Sequence, residues 1–164
     1  MGIFIDDELK WCEHIEYVCS KIKQYIGIFY KIRSKLSSLC LKSLHYAAVY
    51  PHIQYGVELY ANTSVTHLRD LSVLNNKALR ILQFKPNTCT VNELYDTFNT
   101  LQIKDLHEFK LLVLMHKYFY NLASLPPVFQ NYFKANALVH THNTRSQSNI
   151  HTGCAKKNNP PDEC

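Results

Sequence analysis

Apolar residues return at intervals of three and four in successive segments of this chain. Ile15, Val18, Ile22, Ile26 and Phe29 form one series. Leu68, Leu71, Leu74, Ala78, Leu79 and Leu82 form a second, and Leu106, Phe109, Leu112 and Val113, with His116, a third. An α-helix turns once every 3.6 residues, so each series lies on one helical face. A large sheet would need alternation by two and many tight turns, and only four glycines are present to make them. Of the 164 residues 46% are hydrophobic and 19% charged, a balance that supports a packed core. The expected fold class is all-α: a compact bundle of four or five helices, a short N-terminal β-strand stub at Gly2–Ile5, and a disordered C-terminal tail.

Breaking and capping residues punctuate the series. Ser37 or Ser38 can cap a helix carrying Leu41, Leu44, His45, Ala48 and Val49, which Pro51 should kink or end. Residues 53–60 are compatible with continued helix. Thr63 or Ser64 can cap the next helix, which should stop before Pro86, and Thr90 with Glu93 forms a capping-box pattern. Pro126 and Pro127 should break the last long helix, followed by a short aromatic piece, Val128–Phe133. From Lys134 onward periodicity is lost, and His140–Cys164 is rich in Asn, Thr, Ser and His. The expected organisation is a strand and turn over 1–10, a helical domain over 11–133 and a tail over 134–164.

Several chemistries lack their residues. The six cysteines, Cys12, Cys19, Cys40, Cys89, Cys154 and Cys164, form no CxxC pair, which argues against a structural zinc site and reads as reduced thiols of an intracellular protein. No HExxH, no dioxygenase-type HxD with a distant His, no GxGxxG and no GxxxxGK[ST] occurs. His140 and His142 could share a metal, but they fall in the tail. No apolar leader precedes Lys10, and no 18-residue apolar run occurs. The tetrapeptide Phe4, Ile5, Asp6, Asp7 matches the aromatic-x-Asp-Asp turn of a polymerase palm, where paired carboxylates hold two metal ions. Here a helix follows instead of a return strand, and no earlier residue supplies a third carboxylate. A turn leading into a helix, with acids near the helix N-terminus, is the reading that fits. No catalytic residue, metal or cofactor is expected.

Charge is uneven. Between Tyr17 and Val57 there is no acidic residue, while Lys21, Lys23, Lys31, Arg33, Lys35 and Lys42 fall in the same stretch. Such a run can follow a phosphate backbone, and Tyr25, Tyr30, Tyr46, Tyr50 and Tyr55 interleave with it and could stack on bases. It can equally be a solvated helical face over core tyrosines. Lys77, Arg80 and Lys85 form a weaker second cluster.

The segment Gly2, Ile3, Ile5, Asp6, Leu9, Trp11, His14, Ile15 resembles a "GI-x-ID-x-x-L-x-W-x-x-HI" element of LINE-type (non-LTR, jockey-like) retrotransposon reverse transcriptases. There it follows the metal-binding strands of the palm and leads into the thumb. Lys21–Ile22, Gly27–Ile28 and Lys31–Arg33 resemble the next helix, and Tyr50–Gly56 is similar to the thumb's "YPHI-x-YG". Asn75–Leu82, then His107 and Glu108 with Leu111 and Lys117, and Asn143–Arg145 follow in the same order. The resemblance runs from Gly2 to about Ser146 and departs at Cys12, where a polar or basic residue is usual; Thr152–Cys164 matches nothing in that family. It implies a thumb without fingers or catalytic palm, with Asp6 and Asp7 downstream of the catalytic pair. The partners implied are an RNA–DNA or other nucleic-acid duplex, gripped by Lys21, Lys23, Lys31, Arg33, Lys35, Lys42, Lys77 and Arg80, and the missing palm and fingers of the parent polymerase, with no membrane involved. Trp11–Leu36 also resembles the N-terminal module named after alkylated-DNA-repair AlkB homologue 8. Whole proteins of that kind carry methyltransferase and 2-oxoglutarate dioxygenase activities, whose residues this sequence lacks.

Overall fold

The computed structural model describes residues 2–130, with side chains described through residue 128. The expected tail over 134–164, and the end of the aromatic piece before it, lie outside the described residues. By its internal contacts the chain divides into two units, 1–113 and 114–164.

The first unit is helical. Helix α1 (Cys12–Ile32) continues into a 3-10 turn (Arg33–Lys35). Next come α2 (Ser38–Ala48), α3 (Tyr50–Gln54) and α4 (Val57–Tyr60). Helices α5 (Val65–Leu82), α6 (Val91–Phe98) and α7 (Ile103–Tyr120) follow, and α7 crosses the division between the units. These include five helices of eight residues or more, consistent with the four or five expected. The described part of the second unit holds the end of α7, a 3-10 turn (Leu122–Ser124) and α8 (Pro127–Gln130).

The core is built from the expected stripes. Ile15, Val18, Ile22 and Phe29 of α1 are buried with Leu71, Leu74, Ala78, Leu79 and Leu82 of α5. These two helices form the main packed pair, and they run parallel. At their starts Thr63 Oγ1 donates to the Lys10 carbonyl at 2.8 Å, and at their ends the Arg33 guanidinium donates to the Ile81 carbonyl at 3.4 Å. The chain between them returns through α2, α3 and α4, which add Leu41, Val49, Ile53, Val57 and Tyr60 to the core. Leu94, Phe98, Ile103 and Leu106 close it from α6 and the start of α7.

The local signals act in part as their chemistry dictates: Ser64 and Thr90 stand at the N-caps of α5 and α6 without a side-chain cap bond, and Thr90 Oγ1 donates to Glu93 Oε2 instead. Ser37 Oγ accepts from the Cys40 amide, capping α2. Pro51 opens α3 instead of only ending α2, because the first turn of a helix needs no amide from proline. Gly56 separates α3 from α4 at φ 72°, and a Cβ there would sit 2.8 Å from Ile3 Cδ1. The position therefore favours glycine by conformation, and an added Cβ would in addition push the tip of the Ile3 side chain aside.

The strand stub is not present: no strand occurs among the described residues. A strand exists only by pairing, and residues 2–5 have no partner strand. The Phe4 amide instead donates to His14 Nδ1 at 3.5 Å, and the Phe4 ring meets Tyr17 edge-on at 5.0 Å. The Asp6 carbonyl accepts from the Leu9 amide at 3.0 Å in a turn.

Candidate nucleic-acid interface

The cations of the basic stretch do not share one face. Helical phase places Lys21 and Lys23 about 160° apart on opposite flanks of α1. Lys21 lies over the Tyr17 ring, 5.2 Å from its centroid. On that side burial, then the Lys21 charge, hold His52 below the ordinary histidine pKa. Lys23 lies on the α5 side, in a groove that also contains Lys77. Lys31 is exposed in the last turn of α1, where the helix dipole favours a cation, and Lys35 is exposed in the 3-10 turn beyond. Lys42 is half-buried on α2.

Arg33 is held within the fold. Its guanidinium lies 5.0 Å from the Tyr30 ring centroid and 4.9 Å from that of Phe84, and it donates to the end of α5 as described. Arg80 is also engaged, donating to the Cys89 carbonyl at 3.5 Å, and its buried Nε has no partner. In both, one guanidinium nitrogen is already engaged by a backbone carbonyl of the fold. Among the described residues the ion pairs are Lys10 with Glu8 and Lys85 with Glu93. None neutralises Lys21, Lys31, Lys35 or Lys42.

The interleaved tyrosines divide in the same way. The Tyr46 hydroxyl faces the carbonyls of Phe98 and Asn99, donating to Asn99 at 2.7 Å. Its ring packs on Tyr50 at 5.1 Å, and Tyr25 stacks on Phe29 at 6.1 Å. The five tyrosines thus differ in exposure: Tyr25, Tyr46 and Tyr50 are half-buried, while Tyr30, beside the Arg33 guanidinium, and Tyr55 are exposed.

A buried polar chain links α2, α5 and α6. His45 Nε2 donates to Asn75 Oδ1 at 3.2 Å, since that oxygen can only accept. Asn75 Nδ2 donates to the Tyr95 hydroxyl at 2.9 Å, which donates to Asn76 Oδ1 at 2.8 Å. Burial holds the His45 pKa below the ordinary value and pushes the Tyr95 phenol up to about 12, so the chain is neutral in the fold. Tyr60 is likewise raised by burial and donates to the Ile53 carbonyl at 2.5 Å. These groups tie helices together.

The groove between α1 and α5 was not legible from charge runs alone. Its volume is about 570 Å³. Cys12, Glu16, Cys19 and Lys23 line it from α1, and Thr66, Asp70, Val73 and Lys77 from α5, both rows at intervals of four, three and four. The repeat is visible in the sequence only once α1 and α5 are known to run side by side in the same direction.

Among the described residues no group of three or more His, Cys, Asp or Glu side chains could hold a metal ion, and no helix is long and apolar enough to cross a membrane. Comparison of the chain with protein-family models, with curated proteins and with solved structures finds no match.

Proposed function

We propose that the chain is a non-catalytic thumb-like module of a retrotransposon reverse transcriptase that holds a template–primer duplex through its basic helices. The observation that supports this reading is the uncompensated charge running from the end of α1 into α2. Lys31 and Lys35 are exposed, no acid occurs from Tyr17 to Val57, and no ion pair among the described residues neutralises them. Cations without counter-charges bind phosphates by releasing the duplex's own counterions, without regard to base sequence. Lys21 and Lys42 would extend the contact on neighbouring surfaces.

The test is anisotropy of a labelled RNA–DNA duplex titrated with the protein at several salt concentrations. Lys31→Glu with Lys35→Glu is expected to abolish binding at moderate salt. The corresponding Ala pair should lower the slope of log K against log salt by about 2. Arg33 is left intact, because its loss would disturb α1 and α5. Unchanged binding in the Glu pair would overturn the proposal. A second reading, a helical interaction module without nucleic-acid affinity, is favoured by exposed apolar residues on the first unit's part of α7, Phe109 and Leu112. It would be supported by absence of any duplex binding at low salt.

A further inference from the structure

We propose that the groove between α1 and α5 is a docking site for a single amphipathic helix of a protein partner, one that carries a basic and an acidic residue two turns apart.

The groove separates its charges by sign along its length. Glu16 and Asp70 lie in the half nearer the N-termini of the two parallel helices, and Lys23 and Lys77 in the half nearer their C-termini. Each acid precedes the lysine of its own helix by seven residues, so the carboxylate and ammonium zones lie about 10 Å apart along the axis. Charges that far apart do not neutralise each other, and none of the four is in an ion pair among the described residues. Between the zones the lining is apolar: Cys19 and Leu74, buried, and Val73, 57% exposed. Burial and the nearby Glu16 and Asp70 carboxylates push the Cys19 thiol up, despite the opposing pull of Lys23, so the middle of the groove is uncharged.

Two parallel helices side by side leave a furrow into which the ridge of a third helix fits. A helix presenting small apolar residues to Cys19 and Val73 would carry one base onto Glu16 and Asp70 and one acid onto Lys23 and Lys77. The order of base and acid sets whether it lies parallel or antiparallel to α1. A partner with two bases or two acids would meet a like-charged zone at one end, which is how charged grooves reject wrong partners. None of these four groups is Lys31 or Lys35, so this site and the proposed duplex contact can be tested separately.

The probes are three labelled, end-blocked Ala/Leu helices of about 18 residues, long enough to hold helical structure. They carry Lys and Glu, two Lys, or two Glu at positions seven apart. The Lys/Glu peptide is expected to bind the full chain at least about tenfold more tightly than the other two. Its amide shifts should be confined to α1 and α5. Glu16→Lys with Asp70→Lys should transfer the preference to the two-Glu peptide. Because all four charged residues are exposed, the variant should keep the helical circular dichroism of the parent. If it does not fold, the ranking of the three peptides on the parent chain decides alone. Equal affinities, no binding, shifts outside the groove, or an unchanged preference in the folded variant would each overturn the proposal.

Discussion

Arg33 lies between two aromatic rings and donates a hydrogen bond to a carbonyl at the end of α5. Lys31, two residues earlier, does neither. Sequence spacing treats them as members of one basic run, yet their substitutions should separate. Arg33→Ala is expected to lower stability by about 1–3 kcal/mol, from two cation–π contacts and one hydrogen bond. Lys31→Ala should stay within about 0.5 kcal/mol of the parent. Urea midpoints at constant slope measure both. Equal midpoints for the two variants would show that the aromatic clamp contributes nothing. The side-chain chemistry of an arginine says that it can stack and donate; only the fold says to what.

At the scale of elements, the α1 and α5 stripes were legible in the sequence because their burial depends only on helical phase and a facing partner. Ile22 is fully buried, and Ile22→Ala should cost about 2–5 kcal/mol. The stripe of α7 was also legible as helix, but its burial was not. Ile103 and Leu106 are buried, while Phe109 is 51% and Leu112 68% exposed. Periodicity shows which residues share a face and is silent about where the facing core ends. Leu112→Ser should therefore shift the thermal midpoint little, equivalent to about 0.5 kcal/mol or less. A loss comparable to that of Ile22→Ala in a dilute sample would show that α7 is packed on this side. The strand stub failed for a related reason: Ile3 and Ile5 have strand-forming side chains, but pairing needs a second strand and none occurs among the described residues. At the candidate interface, the run of cations was legible and its division was not fully so. The phase difference between Lys21 and Lys23 follows from helix geometry, whereas the capture of Arg33 by Phe84 depends on a contact across 51 residues of sequence. Tyr46 and Tyr50 were likewise ambiguous until their partners were known.

For the molecule as a whole, buried histidines link folding to pH. His14 and His45 are both almost fully buried, and burial lowers both pKa values from the ordinary 6.5. Above that value both rings are neutral whether the chain is folded or not, and their contribution to stability is fully present. As pH falls below it, the unfolded chain takes up protons first, so stability declines until the folded pKa values are passed. The melting temperature is expected to drop between about pH 7 and about pH 5, more steeply than in a variant with His45 replaced by Gln. A melting temperature that rises on acidification in this range would contradict the neutral buried rings. A different consequence comes from the parallel course of α1 and α5. Their two end clasps join residues 53 and 48 positions apart in the chain. Closing a loop of that size costs about 3.5 kcal/mol of entropy before burial can offset it. A parallel pair must wait for its connection to form, whereas an antiparallel hairpin can close at once. This chain should therefore fold slowly for an all-helical protein, its longest helices meeting late.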